Sequence, residues 1–132
     1  EEKALQLPPD LQTLAAATRR ILSSALTAFA DKNADRARQV VEADDQIDAD
    51  EARVIQDAKQ AMRRHPEHAA AYVEFVLIAK SLERVGDHAT NIAEDVVMTT
   101  QSLNLKHAKK LATESVPQRD PGEHYEQTHP CR

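Results

Sequence analysis

The stretch Ser81–Val97, SLERVGDHATNIAEDVV, decides how this 132-residue chain folds. Its polar residues recur every three or four positions, which on a helix places them in one stripe. The stripe consists of Glu83, Asp87, Asn91 and Glu94, and it borders an apolar arc of Ala79, Leu82, Gly86, Ala89, Ala93 and Val97. A solvated helix face usually pairs its acids with Lys or Arg one turn away. This stripe contains no base, so we expect a bound cation or a basic residue of a neighbouring helix to balance its charge.

The composition indicates an all-α protein. Aromatic residues make up 3% of the chain, Trp is absent and Gly occurs only 2 times, whereas a sheet core uses more aromatic and β-branched residues. The formal charge of −5 provides no basic surface for nucleic acid, and no apolar run approaches the length of a transmembrane segment. A single cysteine, Cys131, fits a cytoplasmic location. The chain begins without Met, as expected of a piece of a longer protein or of a processed one.

The first helix is predicted from Pro9 to Ala30. Pro and Asp10 suit its first turn, where a missing N–H costs nothing and an acid favours the helix dipole. Its apolar face contains no acid and should supply core and no metal ligand. The residues of this face are Leu11, Leu14, Ala15, Thr18, Ile21, Leu22, Ala25, Leu26 and Phe29.

The second helix is predicted from Asp35 to Arg64, and its apolar face includes acids. Asp44 and Glu51 fall near the centre of this face and Asp48 at its edge. Unpaired carboxylates are too costly to bury in ionised form, so these must protonate, pair or bind metal. The other acids of this segment point elsewhere and are expected to be solvated: Glu42, Asp45 and Asp50.

The third helix is predicted to start at Pro66 and to end near Leu103, after a break at His65. Tyr72, Phe75, Val76, Ile78 and Ala79 lead its apolar face into the deciding stretch. The predicted fold is an antiparallel three-helix bundle over residues 9–105. A polar lead of residues 1–8 precedes it, and a polar, flexible tail of residues 106–132 follows, because Pro, Gly and charges dominate there.

The hairpin between the second and third helices brings two pairs of acids together. Antiparallel helices pair residues that are equally far from a short turn. Asp48 and Glu83 are each 17 residues from the turn at His65-Pro66, and Asp44 and Asp87 are each 21 residues from it. Four carboxylates at one level favour a site for a hard cation such as Mg, Ca, Mn or iron. Glu51, Asn91 and Glu94 are weaker candidate ligands. The alternative is that these acids are solvated or paired with Arg36, Arg53 or Arg84.

Two segments resemble the PhoU family of phosphate-uptake regulators. Leu82–Glu94, LERVGDHATNIAE, is similar to the E-R-[IV]-G-D-H-A-x-N-I run of the family's repeats, and Val40–Asp48, VVEADDQID, is similar to its Asp-x-x-x-Asp motif. Together they make residues from about Pro9 to Leu103 resemble one three-helix repeat, most like the second. PhoU proteins usually contain two repeats, so either the first half is missing here or the chain is a single-repeat homologue.

The resemblance implies a metal-binding regulator that is not an enzyme. Its motif residues correspond to Asp44, Asp48, Glu83 and Asp87, and it implies metal ions, in some members multinuclear iron or zinc clusters. It also implies a cytoplasmic protein that acts on a phosphate ABC transporter and a sensor histidine kinase, is peripheral to the membrane through these partners, represses the phosphate-starvation response and forms a homodimer at full length. Two alternatives stay open: a metal-free helical interaction module whose acidic face binds a basic partner, and a metal-dependent enzyme.

Overall fold

The computed structural model describes residues 5–115, and within this range the chain forms an all-α bundle. Helix α1 is Pro9–Asp31, helix α2 is Ala34–Arg64 and helix α3 is Ala69–Glu114. A short 3-10 turn, Pro66–His68, connects α2 to α3. Each helix packs against both of the others, and the contact between α2 and α3 is the most extensive. The predicted fold class is therefore confirmed.

The ends of the helices follow from local sequence. Pro9 occupies the first turn of α1, and Lys32 ends this helix in the left-handed conformation, with φ of 52°. The next residue, Asn33, caps α2, because its side chain accepts a hydrogen bond from the backbone N–H of Arg36 at 3.0 Å. Helix α2 ends before His65-Pro66, as the sequence predicts. These two tight connections make α2 antiparallel to α1 and to α3.

Helix α3 differs from its prediction at both ends. It begins at Ala69, because residues 66–68 form the 3-10 turn, and it continues to Glu114 instead of ending near Leu103. Residues 101–114 are all exposed. This part contains Leu, Lys and Ala and no Gly or Pro, so helix propensity extends α3 although no apolar face is buried there. Residues 1–4 of the predicted lead and 116–132 of the predicted tail lie outside the described residues.

The core is built from small and branched aliphatic side chains. Leu14 and Val40 are its largest fully buried residues, and Ala residues of all three helices fill the space between them. The many Ala residues let the helices approach closely with hardly any aromatic residues in the core. The deciding stretch contributes the buried residues Gly86, Ala89, Thr90, Ala93 and Val96, with Leu82 and Val97 half-buried.

Four predicted core residues are exposed. Phe29 is 67% exposed, and Ala15, Leu26 and Ile78 also lie on the surface. The apolar arc of α1 is wider than the groove that α2 and α3 offer, so only its central residues are enclosed. Phe29 borders an open groove together with Val96 and Leu103 of α3. None of the described helices is both long and apolar enough to cross a membrane.

Candidate metal centre

Helices α2 and α3 pack closely where Gly86 faces Ile47. A Cβ atom added to Gly86 would lie 3.1 Å from Cγ2 of Ile47, which is tighter than an ordinary contact. Glycine therefore explains how the two backbones come this near. Ile47 and Gly86 are both buried, and the acidic residues of the two helices flank this contact. Close packing thus sets the distance across which the carboxylates face each other.

Three carboxylates form the centre of the acidic cluster. Oxygen atoms of Asp48, Glu51 and Glu83 all lie within 4.8 Å of one another. Asp48 is exposed, whereas Glu51 and Glu83 are half-buried. Asp48 and Glu83 therefore meet across the helices as the hairpin register predicts. Glu51, one of the weaker candidates, belongs to the centre of the cluster.

Asp44 and Asp87 surround this centre and affect its protonation. Although Asp48 is exposed as a residue, partial desolvation of its carboxyl group and then the negative charges of Asp44 and Asp87 raise its pKa above the ordinary value. Burial also raises the pKa of Glu83, and a hydrogen bond with Asp87 raises it further. All four residues predicted from the hairpin are thus close enough to influence one another. The folded chain concentrates negative charge at a level where two helices must approach.

One oxygen of Asp44 is buried and unsatisfied within the described part of the chain. Its Oδ1 atom is inaccessible to solvent and receives no donor from the described residues. A buried, unpaired carboxylate oxygen is costly, and a cation or an added donor would satisfy it. Oxygen atoms of carboxylates are the ligands that hard cations prefer. The residues present therefore fit a hard metal ion, with the Asp48, Glu51 and Glu83 oxygens as the nearest ligand set.

Lys80 is the base that the sequence analysis missed. Its Nζ lies 3.1 Å from Oε1 of Glu51 and donates a hydrogen bond to it. The register that pairs Asp48 with Glu83 also pairs Glu51 with Lys80, because Glu51 and Lys80 are likewise equally far from the turn between the two helices. Applying that rule to bases as well as acids would have found it.

The other expected residues lie apart from the centre. Glu94 is exposed and lines a separate surface groove with Arg38, Val41 and Met98, and Asn91 is exposed as well. Within residues 5–115, no salt bridge joins the acidic cluster to the expected bases Arg36, Arg53 and Arg84. Pairing of the cluster with an arginine, which was one alternative to a metal ion, is therefore absent from this part of the chain. The base that pairs with the cluster is a lysine.

The prediction that Asp50 is solvated is wrong. Asp50 is only 4% exposed, and its Oδ1 accepts a hydrogen bond from Nε2 of Gln46 at 2.8 Å. Gln46 borders a groove against α1, which shows that α2 buries a second flank against that helix. The sequence analysis assumed one apolar face for α2. Because α2 packs against two other helices, it buries a wider surface than that face.

The fold and the site together define an all-α bundle with a carboxylate cluster between two antiparallel helices. The family described as PhoU domain matches residues 11–96, well over half of the chain. The chain therefore belongs to the PhoU domain family. The resemblance expected from the two motifs is confirmed.

Several relatives carry the name phosphate-specific transport system accessory protein PhoU homolog. The one from Thermotoga maritima, homolog 1, is 31% identical over 107 residues, which cover 80% of this chain and 46% of that protein. The one from Pseudomonas aeruginosa is 28% identical over 98 residues, covering 74% and 40%. The chain thus spans less than half the length of these curated relatives. No solved structure matches the chain.

Proposed function

We propose that this chain is a metal-binding PhoU-type unit that takes part in the regulation of phosphate uptake. The membership in the PhoU domain family and the names of the relatives support the phosphate role. The observation that carries metal binding is the approach of Asp48, Glu51 and Glu83 oxygens to within 4.8 Å of one another. In this proposal the chain acts in the cytoplasm through protein contacts and not as an enzyme.

The proposed ligands are Asp48, Glu51 and Glu83, with Asp44 and Asp87 as further carboxylates of the same cluster. When bound, a divalent or ferric ion would supply positive charge that neutralises these groups. Mg and Mn suit the oxygen-only donor set, and a multinuclear iron or zinc cluster would use several of the five acids. The ion would hold α2 against α3, because both helices contribute carboxylates.

The proposed partners are a phosphate ABC transporter and a sensor histidine kinase. The chain would reach the membrane only through the transporter, and the full-length protein would form a homodimer. The metal would fix the relative position of α2 and α3 and so present a defined helical surface to these partners.

Chelation followed by thermal melting tests the metal centre. A cation that binds only the folded chain stabilises it by mass action, by about 2.7 kcal/mol at a concentration of 100 times Kd. We expect chelator to lower the melting temperature of the wild type, and Mn, Fe or Mg to restore it. The double variant Asp48→Asn/Glu83→Gln, which removes two of the three nearest ligands, should be nearly indifferent to both treatments. Identical wild-type curves in protein shown to be metal-loaded and metal-free would refute the metal centre.

A phosphate-starvation reporter tests the regulatory role. Deleting the gene for this chain in its host should raise reporter output in high phosphate, and the wild-type gene should restore repression. The Asp48→Asn/Glu83→Gln gene should restore it only in part if metal holds the active surface. An unchanged reporter after deletion would argue against a role in phosphate regulation.

One observation favours the metal-free interaction module as the second candidate. The cluster already accepts a basic side chain, since Lys80 donates to Glu51. A basic segment of a partner could extend that arrangement to the exposed Asp48 and Asp87. The two candidates separate in the melting experiment, because only the metal centre makes stability depend on chelator.

A further inference from the structure

Lys80 holds a position in the cluster that no other described base has. Its ion pair with Glu51 joins α3 to α2, whereas the other ion pairs within residues 5–115 join residues at most four positions apart. The Glu51 side chain is 14% exposed and that of Lys80 is 55% exposed. The lysine therefore reaches from the surface to an oxygen of the cluster and leaves its own stem partly in water.

The ammonium group and a metal ion compete for the same carboxylate. Glu51 belongs to the group of three residues whose oxygens lie within 4.8 Å of one another, and it is also the acceptor of Lys80. Two cations next to one carboxylate repel each other, and this repulsion is strong in a half-buried site. Lysine has a flexible stem and one compact charge, so it can move into solvent without unfolding the helix.

We propose that Lys80 is a tethered counter-ion of the acidic cluster, which a metal ion must displace from Glu51 in order to bind. This inference rests on the proposed metal centre and adds how the affinity of that centre is set. Without metal, the ammonium balances part of the charge of Glu51, Asp48 and Glu83 and helps to keep α2 and α3 together. With metal, the ion takes over this role and the lysine is released.

The chain would therefore exchange the ammonium group of Lys80 for a metal ion. Helices α2 and α3 would stay together in both states. Lys80 lowers the apparent affinity for metal because part of the binding free energy is used to break its ion pair. It also reduces the stability difference between the metal-free and metal-loaded states. Removing the lysine should therefore increase both the affinity for metal and the stability difference between the two states, because only the metal-free state loses an ion pair.

Calorimetric titration with Mn²⁺ tests this inference on the wild type, Lys80→Met and the control Lys109→Met. Lys109 lies on the same helix, is exposed and forms no salt bridge with any described residue. We expect Lys80→Met to bind Mn²⁺ about two- to fivefold more tightly, the range that a half-exposed ion pair supports. Lys109→Met should bind like the wild type, although it changes the net charge equally.

Thermal melting supplies a second readout. Metal-free Lys80→Met should melt below the metal-free wild type, while the two metal-loaded proteins should melt at similar temperatures. Lys80→Arg, which keeps the positive charge, should resemble the wild type in affinity and in melting. If Lys80→Met does not fold, Lys80→Gln takes its place in both measurements.

The outcomes distinguish the inference from the metal centre itself. Tighter binding by the neutral Lys80 variants, with Lys80→Arg unchanged, supports the tethered counter-ion. Wild-type binding of Mn²⁺ with equal or weaker binding by these variants overturns it and leaves the metal centre standing. Absence of Mn²⁺ binding in the wild type and in every Lys80 variant overturns both.

Discussion

The two flanks of α2 each bury an acid, but they satisfy it in different ways. On the flank that carries Gln46, Asp50 is almost fully buried and accepts a hydrogen bond from that side chain, one turn away on the same helix. On the flank facing α3, Asp48 meets Glu83 of α3 and other acids, and the pKa values of Asp48 and Glu83 are raised. One oxygen of Asp44 there has no hydrogen-bond partner among residues 5–115.

The difference shows when a buried carboxylate is structural and when it requires an external charge. A single acid can be satisfied by a donor of its own helix, and it then resembles any other buried polar group. Several acids that face one another across two helices cannot be satisfied in this way, because each added carboxylate raises the cost of the others. Lys80 balances only part of that charge. The remaining excess is what makes the α2–α3 flank a candidate metal centre.

The largest expected effect comes from Ile47→Ala, which breaks the close contact between α2 and α3. Ile47 is 2% exposed and packs on Gly86. Truncation leaves a cavity and should lower the free energy of unfolding by about 3 kcal/mol. Denaturant unfolding measures this loss. The exposed Ile78→Ala is the control and should change stability by less than about 0.5 kcal/mol. Similar losses for both variants would contradict the assigned packing.

Removing one negative charge from each flank of α2 should have opposite effects on stability. In chelator, Asp50→Asn should destabilise the chain by about 1 kcal/mol, because a charge-assisted hydrogen bond from Gln46 is weakened. Asp48→Asn should instead stabilise it by about 0.5 kcal/mol, because repulsion from Asp44, one turn away, is reduced. Chemical denaturation of both variants provides the measurement. Effects of the same sign would show that the two flanks do not differ as described.

The smallest expected effect is a change in pH dependence. Because the folded-state pKa values of Asp48 and Glu83 are raised, the folded chain binds protons more readily than the unfolded chain. Without metal, stability should therefore increase as pH falls from neutral toward the ordinary carboxyl values of 3.8 and 4.5. The variant Asp48→Asn/Glu83→Gln should lose this part of the increase in thermal melts.

The wild type and the variant share the other titrating groups of the bundle. The pKa of Asp10, for example, is raised by a hydrogen bond with Asp57. Its contribution is the same in both proteins, so the difference between their melting curves reports on the cluster. Parallel curves at all pH values would mean that Asp48 and Glu83 do not titrate abnormally.

Equal helical rise on both sides of a short turn was enough to predict the α2–α3 register. It placed Asp48 against Glu83, and the structure brings these residues together. The same rule also pairs Glu51 with Lys80. The sequence analysis missed this pair because it applied the rule only to acids. Register depends on spacing alone, and for this reason it can be read from the sequence.

Burial was harder to predict, because it depends on how many helices pack against a given helix and on how much of its surface they cover. Asp50 was assigned to solvent because one apolar face was assumed for α2, although α2 packs against two helices. Phe29 shows the opposite error, since the apolar arc of α1 extends beyond the groove that covers it. The far end of α3 buries no apolar side chain and is helical through local propensity.

Metal analysis decides whether the carboxylates between α2 and α3 hold a metal ion. The wild type, Asp50→Asn and Asp48→Asn/Glu83→Gln are purified without chelator, equilibrated with Mn²⁺ or Fe²⁺, freed of unbound metal and analysed for elements. We expect stoichiometric metal in the wild type and in Asp50→Asn, and loss of most of it in the double variant. Equal metal content in all three proteins, or none in the wild type, would contradict the assignment of a metal centre to the carboxylates between α2 and α3.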